Sequence, residues 1–327
     1  MFESYRKKAV KNLSSKIEIQ GFRKGHIPEK VLSQKIGDDA ILEEMAELAL
    51  HEEYPNIIIE NKINAIGKPN VSITKIVKNN PLGFKIQTAV MPEVKLASYK
   101  DIAKKILSKK ETIDVTENDV NDTILEIKKM RAQAEATQKN KSSKPEDIQS
   151  IEEKDLPEID DEFVKTLGDF KNLKDFNEKL KKNLLQEKQK KTNDKKKAEI
   201  MEELIKESRI FPPKIMIDSE LDKMTAQFKD DVMRSGGTFE EYLKHIKKTE
   251  EDVRNEWRTD AEKRAKSQLI LNKIAVEEKI IPPKKEVEKQ VKNLLDHYKD
   301  ADPQRVQIYA ETVLTNEKVF EFLENQT

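Results

Sequence analysis

The sequence predicts an α+β N-terminal domain, helices with a small antiparallel sheet, followed by an extended, mostly α-helical C-terminal domain with two arms. Three observations predict it. Five of the eight glycines lie in residues 1–83 and none falls between Gly83 and Gly168, so turns come early and a long helical stretch follows. Charged residues are 38% of the 327-residue chain and aromatics only 6%, a helix-rich composition with a thin core and a large solvated surface. Finally, Ile210-Phe211-Pro212-Pro213-Lys214 recurs as Ile280-Ile281-Pro282-Pro283-Lys284, each copy between two helical patterns. A helix, a Pro-Pro corner and a second helix, used twice, predicts two similar arms.

Residues 2–15 set Phe2, Tyr5, Ala9 and Leu13 at helical spacing, with Arg6, Lys7, Lys8 and Lys11 mostly on other faces. The segment Gly21–Pro28 interrupts that pattern, and Pro28 suits the first turn of the next helix, where its missing N–H costs nothing. That helix carries Val31, Leu32, Ile36, Ile41, Met45 and Leu48. Residues 31–60 hold eight carboxylates and one Lys, whereas residues 1–30 hold eight basic and three acidic residues, so the start is locally basic. Residues 70–77 and 84–90 are β-branched runs around a KNNPLG turn, which predicts a hairpin, and Pro92 ends the second strand or marks a sheet edge.

From about residue 99 the pattern is helical. Thr116-Glu117-Asn118-Asp119 has the form of a capping box, with Asp in the usual Glu position, ahead of Val120, Ile124, Ile127 and Met130. Residues 133–155 are polar and nearly core-free, a linker. Residues 174–208 form a long helix whose middle, QEKQKKTNDKKK, has no apolar stripe, so it bridges solvent or projects as an arm. The last long helix begins near Thr249, with Val253, Trp257, Ala261, Ala265 and Leu269 on one stripe. The predicted domains are residues 1–98 and 99–327.

Composition excludes several function classes. Lys+Arg and Asp+Glu both total 62, which argues against a chain that is basic overall but leaves a local basic patch open. There is no Cys, hence no disulfide and no cysteine-ligated metal. The start has no apolar signal region and no apolar run approaches ~18 residues, so a soluble cytoplasmic protein with no membrane contact is expected. His26, His51, His245 and His297 are dispersed without ligand spacing, and no phosphate-binding Gly loop, GxSxG or HExxH occurs. No catalytic residue, cofactor site or metal site emerges, and the carboxylates alternate with lysines as on a solvated helix face.

The informative segment is GFRKGHIP, residues 21–28. Gly21 and Gly25 bracket Phe22, Arg23 and Lys24 on a tight loop between helices. Phe22 is either a docking anchor or a side chain folded back on the core. Arg23 can grip phosphate or carboxylate with two parallel bonds, and Lys24 adds a point charge.

GFRKGHIP matches the GFRxGxxP signature of the trigger factor family, bacterial ribosome-associated chaperones. Five fixed positions would recur by chance in about one chain of this length in ten thousand. Val90–Leu96 is similar to that family's V-x-P-E-V-x-L strand end, and Val115–Val120 to the start of its linker helix. Leu156–Phe163 resembles the LPELDDEF-like opening of its helical C-terminal domain, and Pro212–Glu220 an arm motif. The resemblance covers nearly the whole chain, with two departures. The family's FKBP-like prolyl isomerase domain, about a hundred residues, has no counterpart between Arg131 and Leu156. The two strands that usually precede the first helix are also missing, which leaves a lone hairpin that helices must cover.

The resemblance implies an ATP-independent chaperone without isomerase activity. Gly21, Phe22, Arg23, Lys24 and Gly25 would dock on ribosomal protein and RNA of the large ribosomal subunit near the exit tunnel. The C-terminal helices would cradle nascent polypeptides, assisting folding and protein export. Met201, Met216, Met224, Phe228 and Met233 are the candidate cradle residues, because flexible, polarizable Met side chains suit surfaces that accept many sequences. The plainer alternative is that each Met fills a helix–helix seam. A homodimer off the ribosome stays open. The rivals are a ribosome-independent helical holdase or scaffold and, behind it, an extracytoplasmic chaperone, which would need an export signal. An isomerase ranks last.

Overall fold

The computed structural model describes residues 2–77, 80–109, 112–139, 156 and 158–326. In chain order the elements are α1 (Phe2–Lys16), α2 (Glu29–Ile36), α3 (Asp38–Glu60), β1 (Ala65–Lys75), β2 (Gly83–Val90), α4 (Tyr99–Leu107) and α5 (Glu117–Lys139). They continue with α6 (Asp161–Leu167), α7 (Leu173–Glu207), α8 (Lys214–Arg234), α9 (Phe239–Ile246), α10 (Glu250–Glu277), α11 (Lys284–His297) and α12 (Pro303–Glu324). A mostly helical chain with one two-stranded antiparallel sheet is the α+β class that the sequence predicts. It divides into two compact units, residues 1–95 with 209–269, and residues 96–208 with 270–327.

In the first unit Tyr5 and Ala9 of α1 pack on Ile41, Leu42, Met45 and Ala49 of α3. The charge split between the two segments has a structural use. Lys8 pairs with Glu52 at 2.7 Å, Lys16 with Glu44 at 3.1 Å, and buried Arg6 with Glu29 at 2.7 Å and Asp38 at 3.3 Å. Tyr5 donates to Glu53 at 2.7 Å, a bond that with burial raises the phenol pKa.

The single helix expected through Val31–Leu48 is two. Gly37, at φ +86°, breaks it between Ile36 and Asp38, because a left-handed residue cannot continue a right-handed helix. Pro28 caps α2 one residue ahead of its first turn. In the hairpin, β1 starts at Ala65 rather than 70 and ends at Lys75 rather than 77. Its inner part holds Pro69, tolerated because the ladder shifts register between Ile66 and Asn70 and asks no hydrogen bond there. Helices do cover this hairpin: Ile76 and Leu82 near its turn pack against the α1–α3 core, and Tyr54 of α3 donates to Thr88 at 2.8 Å. In residues 209–269, Ile217, Leu221 and Ala261 form a second small core with Met224 and Trp257.

In the second unit α4 packs on α7 and α12, and α11 packs on α12. The polar middle of α7 does not simply face solvent. Lys188 pairs with Asp119 at 2.6 Å and donates to the Asp114 carbonyl at 3.0 Å. Lys196 donates to the Leu107 and Lys109 carbonyls at 3.4 and 3.0 Å, and Lys197 pairs with Glu324 at 3.3 Å. Ion pairs there replace the apolar stripe. The Thr116–Asp119 capping box forms in full, side chain to backbone in both directions. Helix α5 runs to Lys139, into the segment 133–155, most of which lies outside the described residues. Both Pro-Pro corners form as predicted, with Pro213 capping α8 and Pro283 capping α11. The long helix that begins after Thr249 is α10, but it is not the last: α12 adds another, capped by Asp302.

Candidate docking loop and helical contact surface

The loop between α1 and α2 is shaped by backbone before any side chain acts. Gly21 lies at φ +88° and Gly25 at φ +81°, the left-handed region where a side chain is strained. The Phe22 N–H donates to the Ile19 carbonyl at 3.1 Å, and the His26 N–H to the Arg23 carbonyl at 3.0 Å. The Gly25 N–H reaches back to the Ser14 carbonyl at 2.8 Å, tying the loop to the end of α1. Ile27, buried, anchors the far side. Between these fixed points Phe22, Arg23 and Lys24 all face solvent.

Phe22 is 41% exposed, so it does not fold back into the core. The two cations differ. Lys24 pairs with Glu18 at 2.6 Å, which lowers the carboxylate's pKa, while Arg23 makes no hydrogen bond or ion pair through its side chain among the described residues. Its guanidinium is the free charge of the loop. Much of the basic charge of α1 is taken up by α2 and α3, through Arg6, Lys8 and Lys16, and the sequence alone did not reveal that partition.

The five candidate cradle residues do not gather in one place. Met201, on α7, is buried beside Ile200 and Leu204 in the sequence of that helix and belongs to the second unit. Met216, Met224, Phe228 and Met233 all lie along α8 in the first unit. Met216 and Met224 are half-buried, with Met224 against the Ile217–Leu221–Ala261 core, whereas Met233 is strongly exposed. Phe228 is the hub of an aromatic cluster. It meets Phe239, Tyr242 and Trp257 edge-on at centroid distances of 6.0, 4.9 and 5.3 Å, and Lys229 stands 4.8 Å over Phe239. The sequence singled out Phe228 and Trp257 separately, because residues 29 apart on different helices share no periodicity.

Two apolar concavities escaped sequence reasoning. One, about 620 Å³, lies in the first unit among Tyr5, Tyr54, Ile57, Leu82, Phe84 and Ile86. The other, about 560 Å³, lies in the second unit among Ile127, Met130, Phe163, Leu167, Phe170 and Phe176. Phe163 carries the Arg131 guanidinium 4.2 Å over its ring, and Phe170 meets Phe176 edge-on at 5.1 Å. The only signal in the sequence was the density of Phe in residues 163–176. The corresponding Phe211 and Ile281 of the two Pro-Pro corners are among the most exposed apolar residues described, at 72% and 82%. No described helix is long and apolar enough to cross a membrane.

Two family models match, described as bacterial trigger factor protein over residues 1–127 and bacterial trigger factor protein C-terminus over residues 172–325. Trigger factor of Shouchella clausii is 24% identical over 365 residues, covering 89% of this chain and 83% of the relative. Trigger factor of Bacillus subtilis is 25% identical, covering 89% and 85%, and that of Halothermothrix orenii 25%, covering 94% and 86%. A solved structure of the trigger factor chaperone, described for promiscuous substrate recognition in folding and assembly, has 18% identity and a TM-score of 0.49, covering 99% of this chain and 93% of that one. With the two family matches together spanning most of its length, this chain belongs to the trigger factor family of chaperones.

Proposed function

We propose that this protein is an ATP-independent, cytoplasmic chaperone that docks on the large ribosomal subunit near the exit tunnel. There it holds nascent polypeptides and assists their folding and export. The observation that carries the reading is the tip of the α1–α2 loop, where Phe22 and an unpartnered Arg23 are exposed together on a backbone set by two left-handed glycines. Arg23 suits a phosphate of ribosomal RNA or a carboxylate of a ribosomal protein, and Phe22 adds an apolar contact. Lys24 contributes less, since Glu18 already shares its charge. Docking of this kind is reversible and weakens as salt rises.

On this reading residues 1–98 dock and residues 99–327 hold clients. The exposed Met233 and the Phe228 cluster on α8–α10 offer soft, adaptable contact, while buried Met201 contributes packing. The interval between the two family matches, residues 128–171, is well short of the about one hundred residues of a typical domain, so the chain works by holding rather than by isomerising prolines.

Co-sedimentation with bacterial ribosomes across a salt series tests the reading. The wild type sediments at low salt and dissociates as salt rises, and the Phe22→Ala, Arg23→Ala, Lys24→Ala variant stays in the supernatant throughout. Equal sedimentation of both proteins, or of neither, would refute loop docking. The helical surfaces would then act as a holdase independent of the ribosome.

A further inference from the structure

The middle of α7 carries a charge that the docking loop does not explain. Residues 179–197 contain nine lysines and two carboxylates in a chain whose net charge is zero. Part of that charge is used internally, by Lys179 on Asp175, Lys188 on Asp119, Lys191 on Glu187 and Lys197 on Glu324. Lys181, Lys182 and Lys190 are exposed and make no side-chain hydrogen bond or ion pair among the described residues.

Helical spacing places Lys179, Lys182, Gln186, Lys190, Asn193 and Lys197 in one row, with steps of three and four residues. All but the half-buried Lys197 are exposed. The row spans about 27 Å at 1.5 Å per residue. It contains no carboxylate and no apolar side chain. The two end lysines of the row are paired to groups off it, Lys179 with Asp175 at 3.0 Å and Lys197 with Glu324 at 3.3 Å, which leaves Lys182 and Lys190 as its unpaired cations among the described residues. Exposed lysines without a carboxylate partner, set among amide side chains, gain from an anionic surface.

We propose that this face of α7 is a second contact surface, one that takes the phosphate backbone of RNA. The chemistry selects RNA over the other polyanions. An acidic polypeptide would be held by apolar anchors as well as charge, and an anionic membrane by apolar insertion, and the row offers neither. Phosphate contacts need only cations and amide donors, which is what Lys, Gln and Asn provide. The surface lies in the second unit, outside the α1–α2 loop, so it goes beyond the docking proposed above and does not depend on it.

The test measures anisotropy of a fluorescein-labelled RNA hairpin with the full chain over a potassium chloride series. It compares the wild type with a Lys181→Gln, Lys182→Gln, Lys190→Gln variant and with the Phe22–Lys24 alanine variant. Gln keeps helix propensity, so far-UV circular dichroism should be unchanged. The wild type is expected to bind with a steep salt dependence. The lysine variant should bind at least tenfold more weakly, with a log–log salt slope shallower by about two to three, at about 0.7–0.9 for each phosphate no longer neutralised. The loop variant should retain most of the RNA binding. Unchanged affinity and slope in the lysine variant overturns the proposal, as does tighter binding of polyglutamate or of phosphatidylserine vesicles than of RNA. Loop docking is judged by ribosome co-sedimentation of the loop variant alone, so either idea can fail while the other stands.

Discussion

Arg23 and Lys24 are adjacent cations on one loop, and only one of them is free. Lys24 lies 2.6 Å from Glu18, whereas the Arg23 side chain has no partner among the described residues. A charge already shared with a neighbour gains less from a new anion, and a guanidinium forms paired bonds that an ammonium cannot. On the docking proposed above, Arg23→Ala is therefore expected to weaken ribosome binding about tenfold, the effect of ~1.4 kcal/mol, and Lys24→Ala by less than half that energy. Glu18→Gln, which releases Lys24, should tighten binding. Titration with labelled protein at fixed salt ranks the three, and a larger loss for Lys24→Ala than for Arg23→Ala would contradict the geometry. The glycines matter for a different reason. A Cβ at Gly21 or Gly25 meets nothing within 4 Å, so their role is the left-handed backbone itself.

Helices α5 and α7 are joined where apolar contact is thin. Asp119 accepts from Lys188 and from the Thr116 hydroxyl and backbone N–H, and these bonds lower its pKa from 3.8 to about 2. A carboxylate depressed in the folded state stabilises it above the unfolded pKa, and that stability is lost as pH falls toward the folded value. The clamp's contribution is thus full above about pH 5 and gone only once the pH is below the folded value of about 2. Urea midpoints of wild type and Asp119→Asn should differ at pH 7 and draw together as pH falls toward 2, while a constant gap would show that the ion pair is not the source. In α8–α10 the aromatic hub makes a second prediction. Removing half-buried Phe228 deletes three ring contacts, so Phe228→Ala should cost about 2–4 kcal/mol. Trp257, the chain's one tryptophan, lies 5.3 Å from Phe228, and its emission should shift to the red in the variant. Unshifted emission would mean that Phe228 does not shield the indole.

Each compact unit is assembled from two stretches of chain that are distant in sequence. The cut predicted at residue 98 followed the change from turn-rich to helical sequence, which carries no information about which distant helices share a core. On the proposed reading, in which the chain acts by holding clients, a prolyl-peptide isomerisation assay with the full chain is expected to run at the uncatalysed rate. Acceleration above a mock preparation would require an isomerase site within the helical units. The protein's action on unfolded clients would then need reassessment, since holding alone could not account for turnover.

Local features were legible in the residues. The helices of α1 and α10, the hairpin, the Thr116–Asp119 box and both Pro-Pro corners follow from periodicity and capping chemistry, which act over a few residues. The backbone of the α1–α2 loop was legible too, since two glycines around Phe-Arg-Lys constrain it regardless of what surrounds them. The break at Gly37 was locally encoded and overlooked, because the apolar spacing runs across it unbroken. What surrounds each side chain needed the folded molecule. That Lys8 and Lys16 are occupied by α3, that Phe228 meets Trp257, and that the apolar-poor middle of α7 is held by Asp119 and Glu324 are long-range pairings. Charge and aromaticity declare which residues can pair, but only the packing of distant helices brings particular partners within bonding distance.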